Sequence, residues 1–172
     1  MTLENYELST TQQTAALSPG EKIVTETNDY TIVKLENGLH RKDMKYKKQM
    51  TYIPSSKEEM IELYKILNTE DNPDVTPMKK LIGEEIEILH YFTNPYQSFD
   101  DKTGGSKNGC NTTILTKDGY VATSSLTVYW TIDGLVQVFG SPSNENYTPI
   151  KVKVTETKKE NGMQIGLELI SV

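Results

Sequence analysis

The chain has 172 residues, of which 35% are hydrophobic and 24% charged, and its net charge is −6. That length buries a core without disulfides or a structural metal, and the single cysteine, Cys110, excludes an internal disulfide and any multi-cysteine zinc site. No apolar run approaches the roughly 18 residues of a membrane span and the N-terminus lacks the basic, apolar start of a signal peptide, so the expectation is a soluble, cytoplasmic protein.

Residues 1–20 are polar and Thr/Gln-rich, end in Pro19-Gly20, and read as a flexible N-terminal arm. Two β-branched runs, residues 22–25 and 30–35, flank Asn28-Asp29 as a hairpin. Glu36-Asn37-Gly38 then turns the chain into a basic stretch that sets Arg41, Lys42, Lys45, Lys47 and Lys48 against Asp43 alone. Ser56 with Glu59 forms an S-x-x-E capping box, opening a helix whose stripe is Met60, Ile61, Leu63, Tyr64, Ile66 and Leu67. It stops near Asn68, before a linker containing Pro73 and Pro77. Residues 21–80 are thus expected to be an N-terminal α/β extension, the hairpin and helix, forming one compact unit with residues 81–172.

Residues 82–93 alternate as a strand of about ten residues. A Gly/Asp/Ser-rich loop, 94–109, precedes a second strand, 111–116. Asp118-Gly119 reads as a two-residue hairpin turn into a third strand, 120–123. Ser124-Ser125 caps a helix with apolar positions Val128, Tyr129, Ile132, Leu135, Val136 and Phe139, closed by Gly140 and Pro142. Residues 150–155 alternate again, Lys159-Glu160-Asn161-Gly162 predicts a type I′ turn, and 163–170 pair back. The fold class expected for 81–172 is mainly β with α. The order strand, strand, strand, helix, strand, strand is that of an OB-fold-like β-barrel.

Enzyme chemistry lacks its parts. His40 and His90 have no ligand-like spacing, Cys110 has no nucleophile context, and Gly104-Gly105-Ser106-Lys107 lacks the spacing of a phosphate loop. No catalytic site, metal site or cofactor is expected. Single-stranded nucleic acid, by contrast, needs aromatic faces for bases and cations for phosphates. Two stretches interleave them. One is Arg41, Lys45, Tyr46, Lys47 and Lys48, followed by Tyr52. The other runs through Tyr91, Phe92, Tyr96 and Phe99 to Lys102 and Lys107. The bland alternative is that Tyr91 and Phe92 are ordinary strand residues, one in and one out, and that the basic run is a lysine-protected edge strand.

The end of the chain favours the first view. Ile150-Lys151-Val152-Lys153-Val154, the Asn161-Gly162 turn and the closing strand after it resemble the C-terminal strands of the single-stranded-DNA-binding proteins of small protein-primed (phi29-type) phages of Gram-positive hosts. Asn111-Thr112-Thr113-Ile114, Asp118-Gly119 and Thr123-Ser124-Ser125 resemble that family's hairpin and Ser-led helix. The resemblance covers residues 81–172, with about 80 residues added before it. It implies an OB-fold protein of a phage or related mobile element, acting in the bacterial host cell. Such a protein coats single-stranded DNA without sequence preference. Tyr91, Tyr96 and Tyr120 are then the stacking residues, with Lys117, Lys151 and Lys153 lining the barrel. RNA is an alternative ligand, because nothing in the sequence reads the 2′-hydroxyl. An exposed edge allows self-association on DNA. A different class of function, a phage or plasmid module that binds and inhibits a host protein, also fits the acidic composition.

Overall fold

The computed structural model describes residues 13–15, 17–69, 71–100 and 105–172. They group into two compact units, one made of the chain up to Lys48 with Pro95–Gly109, the other of Gln49–Asn94 with Cys110–Val172.

The first unit is built on an antiparallel meander of β1 (Lys22–Glu26), β2 (Tyr30–Lys34) and β3 (His40–Met44). β1 and β2 are the expected hairpin. The β2–β3 turn needs a left-handed residue, supplied by Gly38 at φ 84°, while Asn37 Oδ1 accepts the Leu39 N–H. Thr31 and Val33 of β2 are buried, so their face of the sheet is the inner one.

The second unit contains β4 (Gln49–Met50), α1 (Lys57–Asn68), β5 (Val75–Pro77), a 3₁₀ turn (Met78–Leu81), β6 (Glu85–Ile88), β7 (His90–Asp100), β8 (Gly105–Thr116), β9 (Gly119–Thr123), α2 (Leu126–Phe139), β10 (Ile150–Lys159) and β11 (Gly162–Ser171). β7 and β8 run on as a long hairpin, so residues 95–109 of these two strands belong to the first unit. The unit holds two sheets, ordered β4-β7-β8-β9-β5 and β11-β10-β6.

Among the described residues the architecture is mainly β with two helices, as expected, but its sheets do not close into a barrel. The strand expected over 82–93 breaks at Leu89, whose N–H turns to Leu115 O (3.0 Å). Its first half, β6, pairs with β10, and its second half, β7, lies between β4 and β8. β5 pairs in parallel with the outer edge of β9, joining Val75 to Tyr120 and Pro77 to Ala122. That edge is therefore taken, and β11 does not reach it.

Local chemistry explains most boundaries and corrects three details. In the box opening α1, Ser56 Oγ accepts the Glu59 N–H (3.2 Å), but Glu59 reaches back to the Ser55 N–H (3.1 Å), one residue earlier than expected. In both tight hairpins the glycine opens the returning strand with a left-handed φ, Gly119 at 117° and Gly162 at 120°. The loops are thus Lys117-Asp118 and Glu160-Asn161. No non-glycine residue there has positive φ, so the second turn is not type I′. Ser125 does not cap α2 with its side chain. Its hydroxyl donates to Ile165 O of β11 (2.6 Å), tying the helix start to the last strand.

The core lies between β10 and α2, where Ile150, Val152 and Val154 alternate inward to meet Val128 and Ile132, with Ile88, Tyr91, Ile114, Val121 and Met78 completing the cluster. The Tyr147 hydroxyl donates to Ile88 O (2.7 Å) and accepts the Ile150 N–H (3.3 Å), joining the loop before β10 to β6. Among the described residues no helix is long and apolar enough to cross a membrane. Ile114 is fully buried, so Ile114→Ala should remove about 2–5 kcal/mol of stability, read from the midpoint of urea unfolding.

Candidate nucleic-acid interface

The far end of the β7–β8 hairpin is held by amide side chains. Gln13 is buried; its Nε2 donates to Tyr96 O (2.9 Å) and Gly109 O (3.0 Å), and its Oε1 accepts the Tyr46 N–H (2.8 Å). Asn108 Nδ2 donates to Met44 O (2.8 Å), and Gln97 Nε2 donates to Asn108 Oδ1 (3.1 Å) and to Thr14 O. Gln13 thereby satisfies the Tyr96 and Gly109 carbonyls and the Tyr46 N–H, and Asn108 satisfies the Met44 carbonyl at the end of β3.

On this frame the Tyr96 ring lies across Gly109. A Cβ at that glycine would sit 2.4 Å from Tyr96 Cζ, so no other residue fits beneath the ring as it stands. Tyr96 keeps 38% of its surface exposed, and Lys107 is exposed on the facing strand. Lys102 and the side chain of Phe99 lie outside the described residues.

The basic stretch is sorted by strand alternation. Arg41, Asp43 and Lys45 fall on the inner side with Thr31 and Val33. Arg41 Nε forks onto both Asp43 oxygens (2.9 and 3.1 Å) while Nη1 reaches Glu21 (3.1 Å). The Asp43 bond leads in raising the guanidinium pKa. Glu21 in turn is held below the usual carboxylate range, first by the Ser18 N–H and also by Arg41. Lys45 is buried against Glu26 (2.8 Å), and Tyr46 is buried as well. Lys47 stands 3.7 Å from Asp29, and Lys48 is exposed. Three residues expected to meet DNA therefore have other duties: Arg41 and Lys45 are neutralised, and Tyr46 has no open face.

In the second unit, Tyr91 and Phe92 retain only 3% and 2% of their surface. Tyr91 is part of the core, and burial pushes its hydroxyl pKa up to about 12, with the Asp133 charge adding to it. Neither ring offers a face to a base, which corrects the stacking expected of both. Tyr120 is half-buried, its centroid 6.4 Å from that of Phe92. Sequence reasoning did not foresee its neighbours. Tyr52 lies 5.2 Å from His90, and its hydroxyl donates to Glu59 (3.1 Å) at the start of α1. Burial, then Glu62 and Glu59, raise the Tyr120 pKa. These carboxylates make the surroundings of Tyr120 unfriendly to phosphate.

Lys117 projects from the β8–β9 loop and is exposed. Lys151 and Lys153 stand on the outer face of β10, but their register partners are Glu87 and Glu85 on β6 and, for Lys153, Glu168 on β11. Lys151 Nζ pairs with Glu85 at 2.8 Å, a contact that raises the lysine pKa and lowers that of the glutamate. This face has mixed charge and is not a phosphate track. Of the expected residues outside this face, Tyr96, Lys107, Lys117, Lys47, Lys48 and, in part, Tyr120 remain accessible. Tyr64, placed by the sequence in the apolar stripe of α1, is exposed, and of the adjacent Tyr129 and Trp130 on α2 only Tyr129 is buried.

Among the described residues no group of three or more His, Cys, Asp or Glu is placed to hold a metal ion. Cys110 is fully buried and its thiol pKa is pushed up to about 12 by burial.

A single-stranded DNA-binding protein of Bacillus phage GA-1 is 32% identical to this chain over 151 residues, which is 86% of this chain and 88% of that protein. A match of that length cannot be confined to residues 81–172, so part of the N-terminal region is common to both proteins and is not an addition peculiar to this one. No protein-family model matches the chain. No solved structure matches it either.

In the folded protein, Cys110 should resist a thiol reagent at mildly alkaline pH and react on unfolding. Native Cys110 and Tyr91 hold their protons more tightly than their ordinary values of 9.0 and 10.0. The stability they contribute is present below those values and is lost as pH rises through them towards about 12. Alkaline unfolding followed by circular dichroism measures that loss.

Proposed function

The chain belongs to the family of phage single-stranded DNA-binding proteins that includes the Bacillus phage GA-1 protein, and on that premise we propose that it coats single-stranded DNA, without sequence preference, in the cytoplasm of the infected cell. It is a binding protein and not an enzyme. Bases stack on accessible tyrosine and phosphates meet lysine, which demands no sequence readout. The observation that carries the reading is Tyr96. Its ring is seated over Gly109 and the residue keeps 38% of its surface exposed, on a strand that faces exposed Lys107.

We read residues 81–172 as an opened OB-like arrangement. The order β6/β7, β8, β9, α2, β10, β11 supports it, as does the bent first strand that serves both sheets. On this reading β5 takes the place on β9 that a strand closing the barrel would need. Such folds bind strands across one face and the loops beside it, and exposed Lys117 belongs to that part of the chain.

An oligo(dT) of about 30 nucleotides, longer than the roughly 4–16 covered by one OB unit, tests the proposal. Tyrosine and Trp130 fluorescence should quench on titration, and a gel shift should retard the single strand in preference to the matching duplex. Failure to shift either at low salt would end this reading. Tyr96→Ala should weaken binding by about 1–3 kcal/mol and Tyr96→Phe should restore most of it. Tyr91→Ala should instead lower the melting temperature, since its ring is in the core.

A further inference from the structure

The three-stranded sheet of the first unit separates its charges by face. Residues in register on antiparallel strands share a face. Lys22 is opposite Lys34, and Lys34 is opposite His40, so one row across all three strands carries these side chains on the outer face. Two residues further along β3, Lys42 lies on the same face, opposite Ile32. All four are exposed. Lys42 Nζ sits 4.3 Å from the centroid of the Tyr30 ring, which fixes its ammonium group above the sheet.

Every acid of residues 21–48 is placed elsewhere. Glu21 and Asp43 are engaged by Arg41, and Glu26 by Lys45. Asp29 is near Lys47 in the β1–β2 turn, and Glu36 lies against Gly20. Lys22, Lys34 and Lys42 form no ion pair among the described residues. Like charges directly opposite on neighbouring strands are unfavourable. The Lys22–Lys34 pair is thus an arrangement that a bound polyanion relieves. Strands lie about 4.8 Å apart and residues two apart on one strand are about 7 Å apart, so the lysines form a compact patch able to meet consecutive phosphates.

From this separation we infer that the outer face of β1–β2–β3 is a second contact surface for single-stranded DNA, with Lys22, Lys34 and Lys42 on the phosphates. The inference rests on the proposed single-strand binding and adds to it a surface made of residues outside the hairpin. It gives the N-terminal region a part in gripping the strand, through the positions of the basic stretch that alternate with Arg41 and Lys45.

The test compares the full-length wild-type protein with K22Q/K34Q/K42Q and with the charge-keeping K22R/K34R/K42R. Binding to labelled oligo(dT) of about 30 nucleotides is followed by anisotropy across a range of salt, with melting temperature and sedimentation recorded for each. The expected result is a log–log salt slope shallower by about 2 in the glutamine variant, at roughly 0.7 per lost phosphate contact. The arginine variant should keep the wild-type slope, and all three proteins should melt alike. Single variants K34Q and K42Q, each losing about 0.7 of slope, serve if the triple does not fold. An unchanged slope in a wild-type protein that binds the oligonucleotide overturns this surface and leaves the coating function standing. A change in sedimentation with DNA binding intact also overturns it, by making the patch a contact between copies. No binding by the wild-type protein sinks the functional reading itself.

Discussion

Complete burial of Ile150, Val152 and Val154 fixes much of the second unit. Because a strand alternates faces, sending these three inward sends Lys151 and Lys153 outward. There, the register of β6 and β11 sets Glu85, Glu87 and Glu168 beside them. The same rule works in the first unit. Burial of Thr31 and Val33 assigns Arg41, Asp43 and Lys45 to one side of the sheet, and Lys34, His40 and Lys42 to the other. A run of lysines in a strand is thus two populations, one spent on structure and one left for solvent or a ligand.

The second consequence is topological. A five-stranded barrel needs its edges joined, and here the outer edge of β9 is filled by three residues of β5. Edge strands need cover of some kind. β5 covers β9, and the start of α2 covers part of β11 through the Ser125 hydroxyl on Ile165 O. Both sheets are therefore stabilised as open sheets, with α2 and β10 sharing one core between them.

Much of this was legible in the sequence. Alternation located β10, and paired hydrophobic runs around turn residues located β1 with β2 and β8 with β9. The Ser56–Glu59 spacing located α1. The break at Leu89 was not legible, because a strand that changes sheets keeps the same alternating pattern on both sides of the bend. Nor was the pairing of β5, whose three residues carry a proline and too little pattern to announce a strand. For the candidate site, residue types were readable and exposure was not. Tyr91 and Tyr96 lie on one strand and look equally suited to stacking. Only packing against Val128, Ile132 and their neighbours removes the first, and only the absence of a side chain at Gly109 seats the second.

The acidic composition also takes on a different meaning once contacts are known. A net charge of −6 argues against binding a polyanion only if the charges are spread evenly. In the β1–β2–β3 sheet they are not, since its carboxylates are drawn to Arg41 and Lys45 on the inner side. Replacing such an inward base would release a carboxylate as well as remove a cation. A loss of DNA affinity on mutating Arg41 or Lys45 would therefore not mark them as contacts. Interpretable substitutions are at the outward lysines, whose removal leaves every ion pair of the sheet intact.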